Sequence, residues 1–301
     1  MATTSLLACR GLGLLAVQLA FALFLFLFSA TSILPLGCEA AALAPEDLRV
    51  LPEDIVKQIE ELGSLSDTVP PSITRILYSE NDVRAREYVK GLMTKAGLSV
   101  REDPIGNIYG RLEGEDPSLP AVVSGSHTDA IPQSGKYDGV LGVLGAIEAL
   151  RALKESGVKL KRSVEALMFT SEEPTRFGLS CIGSRAMCGR LDQSTLDSLR
   201  DANGTSFLDA CHSANYGKGL STAQILEQSF ITKGGIHAFV ELHIEQGPLL
   251  EADTLDIGVV TAIAAPASLE VSLHGNGGHA GALLMPFRKV SRLIRSLFNP
   301  H

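Results

Sequence analysis

Positive charge is in deficit in this sequence: Lys and Arg number 26 against 34 Asp and Glu, a formal charge of -8. No stretch interleaves basic residues with aromatics, and the two absences together argue against a nucleic-acid partner. Internal repeats and low-complexity tracts are also missing. With 45% apolar and 20% charged residues the composition is that of a globular body and not of a disordered chain. Cysteine is sparse. Two of the five, Cys9 and Cys38, lie near the N-terminus, and Cys181, Cys188 and Cys211 form an odd set without metal-ligand spacing. One disulfide with a free thiol, or three thiols, are both open. Charge is absent altogether between Gly11 and Cys38, where AFALFLFLF is too apolar for a surface element. A charged start, an apolar run and small residues up to Ala42 predict a secretory signal peptide over residues 1–42, with an uncleaved anchor as the alternative. The endoplasmic reticulum and secretory pathway follow as the expected location, with membrane contact only if the leader stays uncleaved. Asn203-Gly204-Thr205 is a glycosylation sequon that such a chain can use.

What remains reads as an α/β body. PEDIVKQIEELG carries Pro52 at a first helical position and ends at Gly63. In SENDVRAREYVKGLMTKAG, Ser79 is placed to cap, and Ala85, Tyr88, Val89, Leu92, Met93 and Ala96 recur at helical spacing. Short apolar runs at Ile108–Leu112, Ala121–Ser124 and Val164–Phe169 predict strands, and a helix from about Val140 to Lys154, apolar on most sides, predicts a buried one. The alternation of strand and helix suggests an α/β sheet. Two polar clusters follow strands directly, GSHTDAI after AVVS and SEEPT after VEALMF, so both are expected on one carboxyl-end rim of the sheet.

These clusters carry the candidate chemistry. His127 and Asp129 alternate if strand geometry continues, which lets Asp129 accept the second imidazole N–H and orient the ring. Taken alone, that tripeptide reads as an ordinary capped histidine. Asp138 follows in GKYDGVLG, at the foot of the buried helix, where a carboxylate can bridge two cations. FVELHIEQGP alternates Val240, Leu242 and Ile244 with Glu241, His243 and Glu245; a solvated strand face accounts for the glutamates better than for His243. His127, Asp138, Glu173 and His243 thus form a candidate ligand set for zinc or manganese in a two-metal site. Glu172, next to Glu173, is left to act as general base on a metal-held water.

GSHTDAIPQSGKYDGVLG, FTSEEPTRFG, ELHIEQGP and GNGGHAGALLMPFR, in that order between about Leu51 and Arg288, resemble the dinuclear-metal amidohydrolases related to aminoacylases and carboxypeptidase G. Within them the wording is most similar to the ureide branch, and above all to its plant members acting on ureidoglycolate. The resemblance implies a metallo-exopeptidase-like catalytic domain with a mixed sheet, over residues 43–259, and the start of an α+β lid or dimerisation domain over residues 260–301. It implies His127 and His243 as terminal ligands, Asp138 as bridge and Glu173 on the second metal. Two Mn2+ per subunit are expected, with Zn2+ as the alternative. His279 in GGHAG is similar to a lid histidine that reaches a neighbouring subunit's site and polarises the scissile carbonyl, so a homodimer formed through the lid is implied. Arg176 either meets a substrate carboxylate or braces its loop. The reaction implied is hydrolysis of a small-molecule ureide, (S)-ureidoglycolate first, to glyoxylate, ammonia and carbon dioxide in purine catabolism; allantoate or an N-carbamoyl amino acid is the alternative substrate.

Members of the group read Arg-x-Asp after Met-Pro-x, where this chain has Arg288-Lys289-Val290 and then SRLIRSLFNPH. The departure predicts a C-terminally truncated product lacking a last histidine ligand and a substrate-gripping arginine. An inactive chain that only partners full-length subunits is therefore a reading from a different class.

Overall fold

The computed structural model describes residues 4–9, 48–264, 272, 274, 278–279 and 281–287. Two compact units divide the chain, Met1–Thr261 and Ala262–His301. In the first unit the described strands are β1 (Thr4–Cys9), β2 (Ile73–Arg75), β3 (Ser99–Glu102), β4 (Ile108–Leu112), β5 (Ala121–His127), β6 (Ala130–Ser134), β7 (Val164–Phe169), β8 (Ile236–Ile244) and β9 (Ile257–Val259). Helices are α1 (Pro52–Ser64), α2 (Glu80–Lys95), α3 (Val140–Ser156), α4 (Ile182–Met187), α5 (Gln193–Ser198), α6 (Phe207–Ser213), α7 (Thr222–Ser229) and α8 (Leu249–Ala252). Most of the expected leader lies outside the described residues; β1 is the part that does not, and it runs parallel beside β8. Among the described residues no helix is long and apolar enough to cross a membrane.

The main sheet is ordered β3-β4-β7-β5-β8-β1-β9. β7, β5 and β8 run parallel at its centre, while β3 and β4 pair antiparallel on one flank, so the sheet is mixed as expected. Alternation sorts the strand residues between two faces. Val122, Val164, Ala166, Met168, Ala238, Val240 and Leu242 join the large core built with α1, α2 and α3. Tyr109, Ala121, Val123, Leu167 and Phe169 pack on the other side with Met187 of α4. α3 buries nearly every residue from Val140 to Leu153, which explains its lack of a polar stripe. A separate cluster around Leu77, Tyr78, Phe207, Cys211 and Ile225 is gathered by α4 to α7. Cys181, Cys188 and Cys211 are free, which leaves three thiols and no bridge among them.

Register places the polar rim. His127 is level with Phe169, so the ends of β5 and β7 open on the same side. Pairing of β5 with β8 runs to Ser124 opposite Val240, while β5 stays paired with β7 through His127. His127 and His243 each lie three residues beyond that last pair, on the same sheet face.

In the second unit, the ring Nδ1 of His279 accepts the N–H groups of Gly281 and Ala282, both at 3.2 Å, ahead of a short 3₁₀ turn at Met285–Phe287. Those two donors require Nδ1 to be the acceptor, which puts the ring proton of the neutral form on Nε2.

Candidate metal centre

β5 runs three residues beyond the predicted Ser124 and delivers His127 to the rim, 2% exposed at its side chain. Its Nδ1 faces the carbonyl of Asp129 at 2.9 Å, with the Asp129 carboxylate at 3.6 Å. The expected orientation of the ring by Asp129 thus comes first from that residue's backbone, because strand geometry stops at His127. The carboxylate does something else: it accepts the backbone N–H of Glu172 at 3.2 Å and of Glu173 at 2.9 Å. One buried aspartate therefore ties the loop after β5 to the loop after β7 and fixes where the paired glutamates start.

β8 brings His243 up from the neighbouring strand. Its Nδ1 faces the carbonyl of Ile244 at 2.7 Å. Both imidazoles thus turn Nδ1 to a backbone carbonyl and present Nε2 to the carboxylates of the rim, the arrangement that prepares a ring nitrogen for a cation. Asp138 enters from the foot of α3. Its Oδ1 is 3.3 Å from His243 Nε2, and its Oδ2 accepts from the side-chain amide of Gln246 at 2.7 Å. Donor atoms of His127, Asp138 and His243 all lie within 4.8 Å of one another. Asp138 Oδ1 is buried, and its contact with His243 Nε2 is an ion pair without hydrogen-bond geometry. A buried carboxylate oxygen that faces imidazole nitrogens without a well-formed hydrogen bond carries a desolvation cost that a divalent cation would offset. The nitrogen and oxygen donors suit manganese or zinc. The residues present fit a metal.

Charge tells the same story. Burial works against a protonated His127, but its contact with the Asp129 carboxylate and the charges of Asp129 and Glu172 outweigh it and push the ring up to about 10. His243 is raised, first by Asp138. Asp138 is lowered, first by His243 and against its own burial. The rim is a place that holds positive charge, and a proton there competes with a cation.

Glu172 and Glu173 part company after their shared anchor. Oε2 of Glu172 is 3.6 Å from His127 Nε2, and its Oε1 takes the Cys181 thiol at 3.7 Å. Glu173 is half-buried and stands outside the three-residue donor cluster; burial, then the charge of Glu172, raise its carboxyl. Arg176 donates from Nε to Asp201 at 2.9 Å and from Nη1 to the Leu77 carbonyl at 3.2 Å, contacts that brace the loop. Asn203 is exposed in a turn held by Asp201. His279 is exposed in the second unit.

Of the alternating Glu241, His243 and Glu245, the last of which lies just past the end of β8, none is simply a solvated charge. Glu241 accepts the Ser126 hydroxyl at 2.5 Å, and Glu245 accepts the N–H groups of Leu249 and Leu250 at the start of α8. Spacing does not single out Gln246, although it follows the strand by two residues and orients Asp138. Its signal lay in adjacency to the motif, which cannot reveal a partner 108 residues away.

A model of Peptidase family M20/M25/M40 matches residues 123–294, the span that holds all of these groups. Ureidoglycolate hydrolase of Arabidopsis thaliana is 59% identical over 233 residues, covering 77% of this chain and 48% of that protein. An N-carbamoyl-L-amino-acid amidohydrolase of Paenarthrobacter aurescens is 40% identical over 237 residues, 79% of this chain and 56% of that one. The crystal structure of AtUAH in complex with glyoxylate superposes with a TM-score of 0.72 at 56% identity, over 81% of this chain and 57% of its own. This chain spans about half the length of the curated relatives it matches. With the family model covering more than half of its residues and the donor cluster inside the match, the chain belongs to Peptidase family M20/M25/M40.

Proposed function

We propose that this chain carries the metal-binding part of an amidohydrolase that cleaves a C–N bond of a ureido acid, (S)-ureidoglycolate, giving glyoxylate, ammonia and carbon dioxide. The observation that carries the reading is the convergence of donor atoms of His127, Asp138 and His243 within 4.8 Å of one another, with the Glu172 carboxylate beside the His127 ring. Likeness to the Arabidopsis ureidoglycolate hydrolase and to a structure holding glyoxylate supports the choice of substrate. His127, Asp138 and His243 would hold the cation and Glu173 would add a carboxylate; manganese, two per subunit, is the proposed metal and zinc the alternative. A divalent cation there supplies Lewis-acid polarisation and acidifies water. Glu172 takes and returns the proton at Oε2, held over the site by the Asp129 strap on its own N–H. His279, with its ring proton on Nε2, has the donor that a developing oxyanion needs, supplied across a homodimer formed through residues 260–301. Arg176 is a weaker candidate for the substrate carboxylate, since its guanidinium is engaged by Asp201.

Glu172→Gln in protein purified with Mn2+ tests the assignment. Turnover should fall by about 100- to 10,000-fold, the usual worth of a general base, while elemental analysis finds the metal content unchanged. Undiminished turnover would refute Glu172 as base. Rates on ureidoglycolate, allantoate and an N-carbamoyl amino acid should rank in that order; hydrolysis of none of them overturns the functional reading. The apolar N-terminus supports entry into the endoplasmic reticulum, and the exposed Asn203 supports glycosylation there. A mobility shift on peptide-N-glycosidase treatment, lost in Asn203→Gln, checks both.

A further inference from the structure

Cys181 closes the loop that begins at the paired glutamates. Its backbone N–H donates to the Glu172 carbonyl at 2.8 Å, and the next two rungs, Ile182 N–H to Ser171 and Gly183 N–H to Thr170, are each 2.9 Å. Its thiol then reaches back along the same residue to Glu172 Oε1 at 3.7 Å. The Glu172 carboxylate is therefore suspended between two groups, the thiol on Oε1 and the His127 ring on Oε2 at 3.6 Å. Nothing else in the loop is placed to fix that side chain, whose exposure of 42% would otherwise let it sample several rotamers. Cys181 adopts φ 58° and ψ 33°, the left-handed conformation, as the residue preceding α4. That conformation is costly for any residue with a Cβ, and glycine is its ordinary occupant. A strained non-glycine residue whose side chain touches the group assigned as base is a departure from the stable choice that needs a reason. Burial, then the charge of Glu172, raise the thiol, so it stays an S–H donor beside the carboxylate.

We infer that Cys181 is a positioning residue for Glu172, its S–H holding the carboxylate over the metal-binding rim and its left-handed backbone being the conformation that aims the thiol there. The inference rests on the reading of Glu172 as the proton carrier. A neutral weak donor suits the task. It holds the carboxylate in place yet adds no positive charge to a site that must accept a cation, and it leaves Oε2 free to exchange a proton.

Two variants and one chemical probe test this on the full chain loaded with Mn2+. Cys181→Gly relieves the backbone and deletes the thiol, so a purely structural residue would give an equal or higher melting temperature with unaltered kinetics. The expected result is an equal or higher melting temperature with kcat reduced about 3- to 10-fold, the worth of one net hydrogen bond, and KM and metal content unchanged. Cys181→Ser, which restores a donor, should recover most of the loss. The probe needs no turnover: iodoacetamide labelling followed by peptide mass spectrometry, with the exposed Cys188 as internal reference. Removing the neighbouring charge in Glu172→Gln should speed labelling of Cys181 relative to Cys188 several-fold. Unaltered labelling of Cys181 in Glu172→Gln, or a Cys181→Gly protein with the parent's kcat, overturns the inference. Faster labelling in a protein that hydrolyses none of the ureides upholds the thiol–carboxylate contact and brings down the hydrolytic reading alone.

Discussion

Gly139 has φ +66°, and a Cβ built there would lie 2.5 Å from both Cδ2 and Nε2 of the His127 ring. The side chain that is missing at this position leaves the space in which the imidazole lies, next to Asp138. Gly139→Ala should therefore push the ring away from Asp138 as well as strain the turn, weakening Mn2+ binding by about 10- to 100-fold, the range seen when groups that orient a ligand are lost. Calorimetric titration of the metal checks this, and unchanged affinity would show that the ring can relax without cost. Asp103 lies away from the rim, buried among Asn107 and Tyr109. Burial raises its carboxyl to about 6, against the hydrogen bonds that favour the charged form. A carboxyl raised on folding keeps its proton longer in the native state, so between about pH 4 and pH 6 the native chain binds more protons than the unfolded one and stability falls as pH rises. The difference between the parent and Asp103→Asn in urea midpoint should accordingly drift across that window and be flat above it. A constant difference would mean that Asp103 titrates normally.

α2 carries a buried ion pair along its own length, and the arginine of that pair ties the helix to the residue that follows β7. Arg86, 1% exposed at its side chain, pairs with Asp82 at 2.9 Å and donates from Nη1 to the Gly106 carbonyl and to the Thr170 hydroxyl. Replacing Arg86 by Met leaves the Asp82 carboxylate buried and unpaired, a loss of about 3–5 kcal/mol that denaturant unfolding should register. A loss below about 1 kcal/mol would mean that Asp82 is protonated or reaches solvent in the variant. Elements of this kind divide what a sequence discloses from what it hides. β4 and β7 are readable to the residue because polar residues bound their runs, Asn107 and Glu113 for one and Ser163 and Thr170 for the other; α3 is readable to within two residues of its end because its run from Val140 to Ala149 has nowhere to go but the core. β5 outruns its apolar stretch because its last residues, Gly125, Ser126 and His127, stay paired to β7, and that support lies some forty residues downstream. The helices between Ile182 and Ser229 escape periodicity because six to eight residues make fewer than three turns; the capping box of Ser221 with Gln224 was the signal available.

At the scale of the molecule the candidate site is assembled from three stretches that meet only through the sheet: the end of β5 with the foot of α3, the loop after β7, and the end of β8. His127 and His243 are visible in the sequence as unusual residues in polar clusters, but their being level with each other is a property of strand register, which no local pattern contains. The same holds for the turn that carries Cys181 back onto Glu172. The order of β7, β5 and β8 also explains why one buried carboxylate, Asp129, can bind two consecutive N–H groups on the adjoining loop, since parallel neighbours release their chains at the same edge.

β5 and β8 part company after Ser124 and Val240, yet β5 remains hydrogen-bonded to β7 through His127. The two imidazoles thus ride on jaws whose opening is gauged by how the backbone of β5 pairs with its neighbours. A gauge of that kind sorts ions by radius. Zinc and manganese, with bonds to nitrogen near ~2 Å, should seat where calcium, wanting six to eight oxygens at about 2.3–2.6 Å, does not. Ion preference in this chain should then respond to substitutions deep in the sheet, at Val123 or Phe239, that alter how far the jaws stand apart while touching no ligand.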